Sequence, residues 1–228
     1  MSTKERILDA ALALFNELGE RKVTTNHIAT HLQISPGNLY YHFKNKQAII
    51  FALFERYEER VLSILQVPPN RTLQPMDKLN YLQAIFRGLW DYRFMHRDME
   101  HLLLEDPQLH ARYRQFFRTC QLRVQAIFRG LGEAGIIRVS EEDVVALALN
   151  TWIVVTSWFS FLRCNLLRHD SDSISPAQLQ AGIYQVFTLE RPYLTEQYRE
   201  VMNELQATFM PRPDFLLPVT EADADAAS

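Results

Sequence analysis

Only seven of the 228 residues are glycine and only two are cysteine. Scarce glycine, with no alternating apolar and polar runs, argues against a turn-rich β sandwich or barrel and favours an all-α chain. The two cysteines, Cys120 and Cys164, are too few for a disulfide framework. Each falls inside an apolar helical pattern, so both are expected as buried thiols in a reducing compartment. No apolar leader follows the charged start Met1-Ser2-Thr3-Lys4-Glu5-Arg6, so the expectation is a cytoplasmic chain without a signal peptide. Excess positive charge is also missing: the formal net charge is −3, and any nucleic-acid partner has to be argued from local clustering. No glycine-rich phosphate loop, nucleophile elbow, paired-acid site or metal-ligand spacing is present. Neither enzymatic activity nor a cofactor is expected.

What the chain does have is 47% hydrophobic residues, enough for a sizeable core in one or two domains. Ser2 and Glu5 form an S-x-x-E capping box, and Ile7, Leu8, Ala11, Leu14, Phe15 and Leu18 make one helical stripe that Gly19 stops. Thr24 or Thr25 caps a second, short helix carrying Ile28, Ala29 and Leu32. Ser35-Pro36 opens a third, with Leu39 and Phe43 facing the core and Phe43 packing on the first helix. Asn45 caps a fourth, which the Val67-Pro68-Pro69 break ends. Further helices are expected over Met76–Phe94, around Asp98–Glu105, and from Pro107 to a Gly132…Gly135 stop. Ser140 with Asp143 boxes the next helix, and Ser175-Pro176 opens the last long one, with a break at Pro192. The acidic, small-residue end is read as a disordered tail over 211–228.

Charge is unevenly placed. Residues 21–46, RKVTTNHIATHLQISPGNLYYHFKNK, contain Arg21, Lys22, Lys44 and Lys46 and no acid. The first 46 residues carry six Lys and Arg against four Asp and Glu, while the remaining 182 carry eighteen against twenty-three. Two short helices joined by a tight turn at Gln33-Ile34-Ser35 have the helix-turn-helix plan, whose second helix enters the major groove of double-stranded DNA. Gly37 allows close approach to a base or phosphate. Free N–H groups at the helix start attract phosphate. Tyr40, Tyr41 and His42 offer donors, Lys44 and Lys46 can neutralise phosphates, and Thr25 can offer a hydroxyl to the backbone.

Arg6-Ile7-Leu8-Asp9-Ala10-Ala11, Phe15, Gly19, Thr24-Thr25, Ile28-Ala29 and the run Ser35-Pro36-Gly37-Asn38-Leu39-Tyr40-Tyr41-His42-Phe43-Lys44-Asn45-Lys46 resemble the N-terminal domain of the TetR family. The resemblance spans about residues 4–55. It implies an all-helical homodimer with a three-helix helix-turn-helix domain over 1–47 and a helical ligand-binding and dimerisation domain over 48–210. It implies a repressor that leaves its operator when a small molecule enters the second domain. It also implies DNA contacts from Thr25, Ser35, Pro36, Gly37, Asn38, Tyr40, Tyr41, His42 and Lys46. Asn26-His27 and Asn38 depart from common family residues, which leaves the operator sequence open.

The second domain is rich in aromatics, and most of them must be core. An apolar ligand pocket drawing on Trp90, Phe117, Phe128 and Trp152, with Asn150 or Thr156 fixing polar groups, is expected. The alternative is a regulator whose second domain binds a protein partner instead. Val144–Leu162 carries no charged residue and approaches membrane-spanning length, but its Asn, Thr and Ser residues and the preceding Glu141-Glu142-Asp143 favour a buried helix over a membrane partner. Pairing it, and the Ala177–Phe187 region, with a second copy around a two-fold axis would hide its apolar face. Two further histidine clusters are weighed as metal sites and rejected. His27 and His31 lack the intervening glutamate of H-E-x-x-H, and Glu100 and His101 are adjacent and so point apart.

Overall fold

The computed structural model describes residues 2–166 and 174–211; the acidic tail read from the sequence lies outside the described residues. The chain is all-α. Its helices are α1 (Thr3–Leu18), α2 (Thr25–His31), α3 (Pro36–His42), α4 (Lys46–Ile64), α5 (Pro75–Asp91), α6 (Arg93–Glu105), α7 (Pro107–Glu133), α8 (Glu141–Leu166), α9 (Pro176–Glu190) and α10 (Glu196–Ala207). The only β pairing among the described residues is an isolated antiparallel bridge between Ile137 and Leu194.

The predicted caps form because each side chain accepts from a backbone amide within the first turn. Ser2 Oγ accepts from the Glu5 amide while Glu5 accepts from the Ser2 amide. Thr24, not Thr25, caps α2 and pairs reciprocally with His27, so that histidine closes a capping box. Ser35, Asn45 and Ser175 cap α3, α4 and α9. Ser140 and Asp143 exchange bonds at the start of α8. Gly19 ends α1 at φ 92°, a conformation glycine adopts without strain.

The structure departs from the sequence reading at several points. The stretch expected as one helix to Phe94 is divided after Asp91. Asn16 of α1 donates to the Asp91 carbonyl at 2.7 Å and accepts from the Phe94 amide at 3.1 Å, taking up groups that a continuous helix would use itself. The short segment expected near Asp98 is the second part of α6, which kinks at Asp98 (φ −125°, ψ 22°). α7, by contrast, ends at Glu133 within the expected Gly132…Gly135 stop, with Gly135 at φ 72°. Cys120 is buried as expected, and burial raises its thiol to about 12. Cys164 is exposed, contrary to expectation: α8 is apolar on most faces, so its pattern cannot say which side faces inward.

The described residues form two compact units, one within 2–68 and 87–127, the other within 69–86, 128–166 and 174–211. In the first, Ile7, Phe15, Ile28, Leu39, Ile49 and Leu53 are fully buried and fix α1 to α4 as one body. Phe43 is buried, and the Lys4 ammonium of α1 lies 5.8 Å over its ring. The start of α6 grips the end of α1: Arg97 donates to the Phe15 carbonyl at 3.1 Å, and the Phe15 and Phe94 rings lie 5.1 Å apart. Tyr57 of α4 and His96 of α6 share a buried 3.0 Å hydrogen bond, and desolvation lowers His96 to about 4, so its imidazole is neutral near pH 7.

In the second unit α9 lies closely on α8 and α5. Gly182 makes this possible: a Cβ there would meet Phe86 at 2.6 Å and Trp158 at 2.7 Å. The buried Gln206 of α10 is satisfied by Arg191, Tyr184 and Thr188. α8 is long and apolar enough to cross a membrane by length and composition, with 33% of its most apolar window buried.

Candidate DNA-binding surface

The α2–α3 turn closes by main-chain bonds alone. Gln33 donates to the Thr30 carbonyl at 3.0 Å and Ile34 to the Ala29 carbonyl at 3.0 Å, with Gln33 at φ 56°. This is the Schellman pattern, carried by glutamine where glycine is usual. Ile28, Ala29 and Leu39 bury one side of the helix pair, so the opposite side of α3 is presented outward.

On that side Ser35, Pro36, Gly37 and Asn38 are exposed, Tyr40 is 48% exposed and Tyr41 84% exposed. Folding alone gives no reason to leave so large an aromatic as Tyr41 in water. The Tyr41 and His42 rings meet edge to face at 5.1 Å, which orients the tyrosine. Ser35 spends its hydroxyl on the Asn38 amide at 3.2 Å. Thr25 Oγ1 and the Tyr40 hydroxyl lie 3.0 Å apart, so the start of α2 and the middle of α3 present two hydroxyls as a pair. A Cβ at Gly37 would meet only Ser35 Oγ at 3.9 Å. The protein's own packing therefore does not demand glycine there, and the open space faces outward.

The cations are less uniform than the sequence suggests. Lys44 is exposed. Lys46 is held: its ammonium is 2.6 Å from Glu20 Oε1 and 3.2 Å from the Glu20 carbonyl. Glu20 itself is only 4% exposed. Lys46 thus already has an anion, which its position at the start of α4 did not reveal. Lys4, which the sequence reading passed over, lines one cleft of about 430 Å³ with His42, Lys44 and Asn45. Only the fold brings α1's first turn beside them, and no local signal marks it.

The six residues expected at a ligand pocket are divided. Trp90 and Phe117 belong to the first compact unit, and Phe128, Asn150, Trp152 and Thr156 to the second. The Arg93 guanidinium stacks 4.5 Å from the Trp90 ring. Phe128 is buried with the Lys78 ammonium 4.8 Å from its centroid. Asn150 is exposed, and the Thr156 hydroxyl donates to the Trp152 carbonyl one turn back at 2.8 Å. His96, one turn before Glu100, is bonded to Tyr57.

Comparison with known proteins places this geometry. The family described as bacterial regulatory proteins, tetR family, matches residues 7–53, and that described as bacterial transcriptional repressor matches 56–202. The crystal structure of a TetR-family transcriptional regulator from Marinobacter aquaeolei VT8 is 46% identical, with a TM-score of 0.85 over 92% of this chain and all of that one. The negative transcriptional regulator of the biofilm operon icaADBC, IcaR, from Staphylococcus aureus is 32% identical over 92 residues, 40% of this chain. The regulator UidR from Escherichia coli is 39% identical over 66 residues, 29% of this chain. The matches span 46% of IcaR and 34% of UidR, under half of either curated relative. With two family matches that together cover most of its length and a full-length structural relative, the chain belongs to the TetR family of bacterial transcriptional regulators.

Proposed function

We propose that this chain is a homodimeric repressor that reads a palindromic operator with α3 and leaves it when a small apolar ligand enters the helical domain. The observation that carries the reading is Tyr41, 84% exposed on a helix whose other side is anchored by fully buried Leu39. Asn38 and Tyr41 are assigned to base edges. Thr25, Ser35, Pro36, Gly37, Tyr40, His42, Lys44 and Lys46 are assigned to the backbone and the close approach, with Lys4 as an added cation. In functional terms residues 1–47 read DNA and 48–210 dimerise and take ligand. The protein is then a cytoplasmic binding protein and not an enzyme.

Dimerisation is supported by α8. Val145, Leu149 and Ile153 recur four residues apart and are 50%, 44% and 50% exposed, an apolar stripe on one helix face. A second copy covering it around a two-fold axis would present two α3 helices to half-sites about 34–36 Å apart, or a multiple of that. The ligand is assigned to the aromatic part of the helical domain, the candidates being Trp90 and Phe117 in the first unit, or Phe128, Trp152, Asn150 and Thr156 in the second. The test is fluorescence anisotropy with DNA upstream of the protein's own gene against a scrambled duplex, at two salt concentrations. Tight, salt-sensitive binding of two chains per site, preferring the upstream DNA, supports a dimeric autoregulator. Absence of binding to either duplex at low salt refutes the DNA-reading assignment.

A further inference from the structure

Among the described residues Gln33 is the only one other than glycine at positive φ (56°), and it sits at the C′ position of the Schellman turn that ends α2. A side chain in this left-handed region crowds the neighbouring carbonyl, a cost that glycine avoids. Nothing among the described residues offsets that cost. The turn closes through the main-chain amides of residues 33 and 34, which glycine at 33 would supply equally. The Gln33 side chain is exposed, and its carboxamide makes no hydrogen bond among the described residues. A strained residue that its own fold does not need points to a role outside the fold.

The place of the turn identifies the partner. Two residue steps separate Gln33 from Ser35, so its Cα lies within about 7 Å of the exposed start of α3. In a helix-turn-helix the first helix crosses the DNA backbone and the second enters the groove, so the residue that joins them borders the strand flanking that groove. No acid lies between Arg21 and Lys46 to oppose a phosphate there. We propose that Gln33 is a further DNA-binding residue, whose side-chain N–H donates to a phosphate oxygen beside the groove that α3 reads. The inference rests on the DNA-reading assignment of α3 and adds to it a contact from the turn. The carboxamide is neutral, so it positions the protein on the backbone without releasing a counterion and without reading sequence.

The experiment compares Gln33→Gly and Gln33→Met in the full chain, by thermal unfolding and by fluorescence anisotropy with the DNA upstream of the protein's own gene and a scrambled duplex. Glycine removes both the strain and the donor; methionine keeps the length and the strain and removes only the donor. Gln33→Gly is expected to raise Tm by about 2–4 °C and yet to weaken binding about tenfold, the loss of one bond to a charged acceptor. Gln33→Met is expected to leave Tm unchanged and to weaken binding as much. Both losses should be equal on the two duplexes, with the slope of log K against log salt unaltered. Opposite signs for stability and binding separate a DNA contact from a structural role, under which the more stable variant binds at least as well. A Gln33→Gly chain that binds like the unaltered one overturns the proposal and leaves the DNA-reading assignment standing. A loss that Gln33→Met does not share traces to the stiffness of the turn and overturns it too, and a loss confined to the upstream duplex overturns the phosphate contact. If the unaltered chain binds neither duplex at low salt, the DNA-reading assignment falls and this inference falls with it.

Discussion

Lys78 on α5 and Glu190 at the end of α9 form an ion pair inside the second unit, where they are 4% and 0% exposed. The Lys78 ammonium also lies 4.8 Å from the Phe128 centroid, and Glu190 Oε2 has no hydrogen-bond partner. Lys78→Met keeps the side-chain length and removes the charge, leaving a buried carboxylate uncompensated. Breaking a buried pair in this way costs about 3–5 kcal/mol. For 228 residues, an unfolding entropy near 2.1 cal/mol/K per residue turns that into a fall in Tm of about 6–10 °C. Replacing both partners by apolar groups, Lys78→Met with Glu190→Leu, removes the orphaned charge and restores most of the loss, so the cycle shows strong coupling. The pH dependence has a definite sign. Burial holds Glu190 above the usual carboxylate value while Lys78 pulls it down, so losing Lys78 raises it further. A group whose folded pKa is raised stabilises most below its unfolded pKa, and that contribution is lost as pH rises through the folded value. The Lys78→Met deficit should therefore be smaller near pH 5 than near pH 8. Thermal unfolding followed by circular dichroism, with the two single variants and the double at both pH values, checks this. A double variant as unstable as Lys78→Met, or a deficit that grows in acid, would refute the reasoning.

Other outcomes follow from the same structure. Gly182→Ala forces a methyl into Phe86 and Trp158 at under 3 Å and should cost about 1–3 kcal/mol in denaturant unfolding. His96, held neutral with a pKa near 4 against 6.5 when unfolded, should make stability fall by about 3 kcal/mol as pH drops from 6.5 to 4. His96→Gln should flatten that acid limb of a Tm–pH curve. Leu149→Glu places a charge in the exposed stripe of α8 and should turn dimer into monomer in sedimentation, with weaker operator binding but an intact helical spectrum.

Lys46 and Lys44 separate two ways of reading a basic residue. From position alone, Lys46→Ala would weaken binding to all DNA and flatten its salt dependence by about one unit, while Asn38→Ala would change which sequences bind. In the fold Lys46 already neutralises Glu20, so of these two lysines it is the exposed Lys44 that can release a counterion. Lys44→Ala should reduce the slope of log K against log salt by about 0.9, and Lys46→Ala by much less, acting instead through lost stability because Glu20 is left buried and unpaired. The reverse order of slopes would show that Lys46 abandons Glu20 on DNA.

That pair also shows which parts of the molecule were legible in the sequence. Ser2, Thr24, Ser35, Asn45, Ser140 and Ser175 each accept a bond from the amide three positions on, so the starts of α1–α4, α8 and α9 could be read from short windows. The recognition helix was legible for the same reason: its cap, its turn and its buried Leu39 lie within a dozen residues. Features fixed by distant partners were not. The division of α5 from α6 depends on Asn16, some 75 residues away, and no proline or glycine marks it. The ion pair of Lys46 depends on Glu20, 26 residues earlier, which a window starting at Arg21 leaves out by one residue. α8 was ambiguous for a different reason. A helix apolar on most faces has the same composition whether it crosses a membrane, fills a core or pairs with a copy of itself. Exposure resolves what composition could not: Leu147, Ala148 and Leu162 are buried in their own unit while Val145, Leu149 and Ile153 face out, so one helix has both a core side and an uncovered side. A helix immersed in lipid would have no reason to carry Asn150 among those outward residues, whereas a protein interface can hydrogen-bond it.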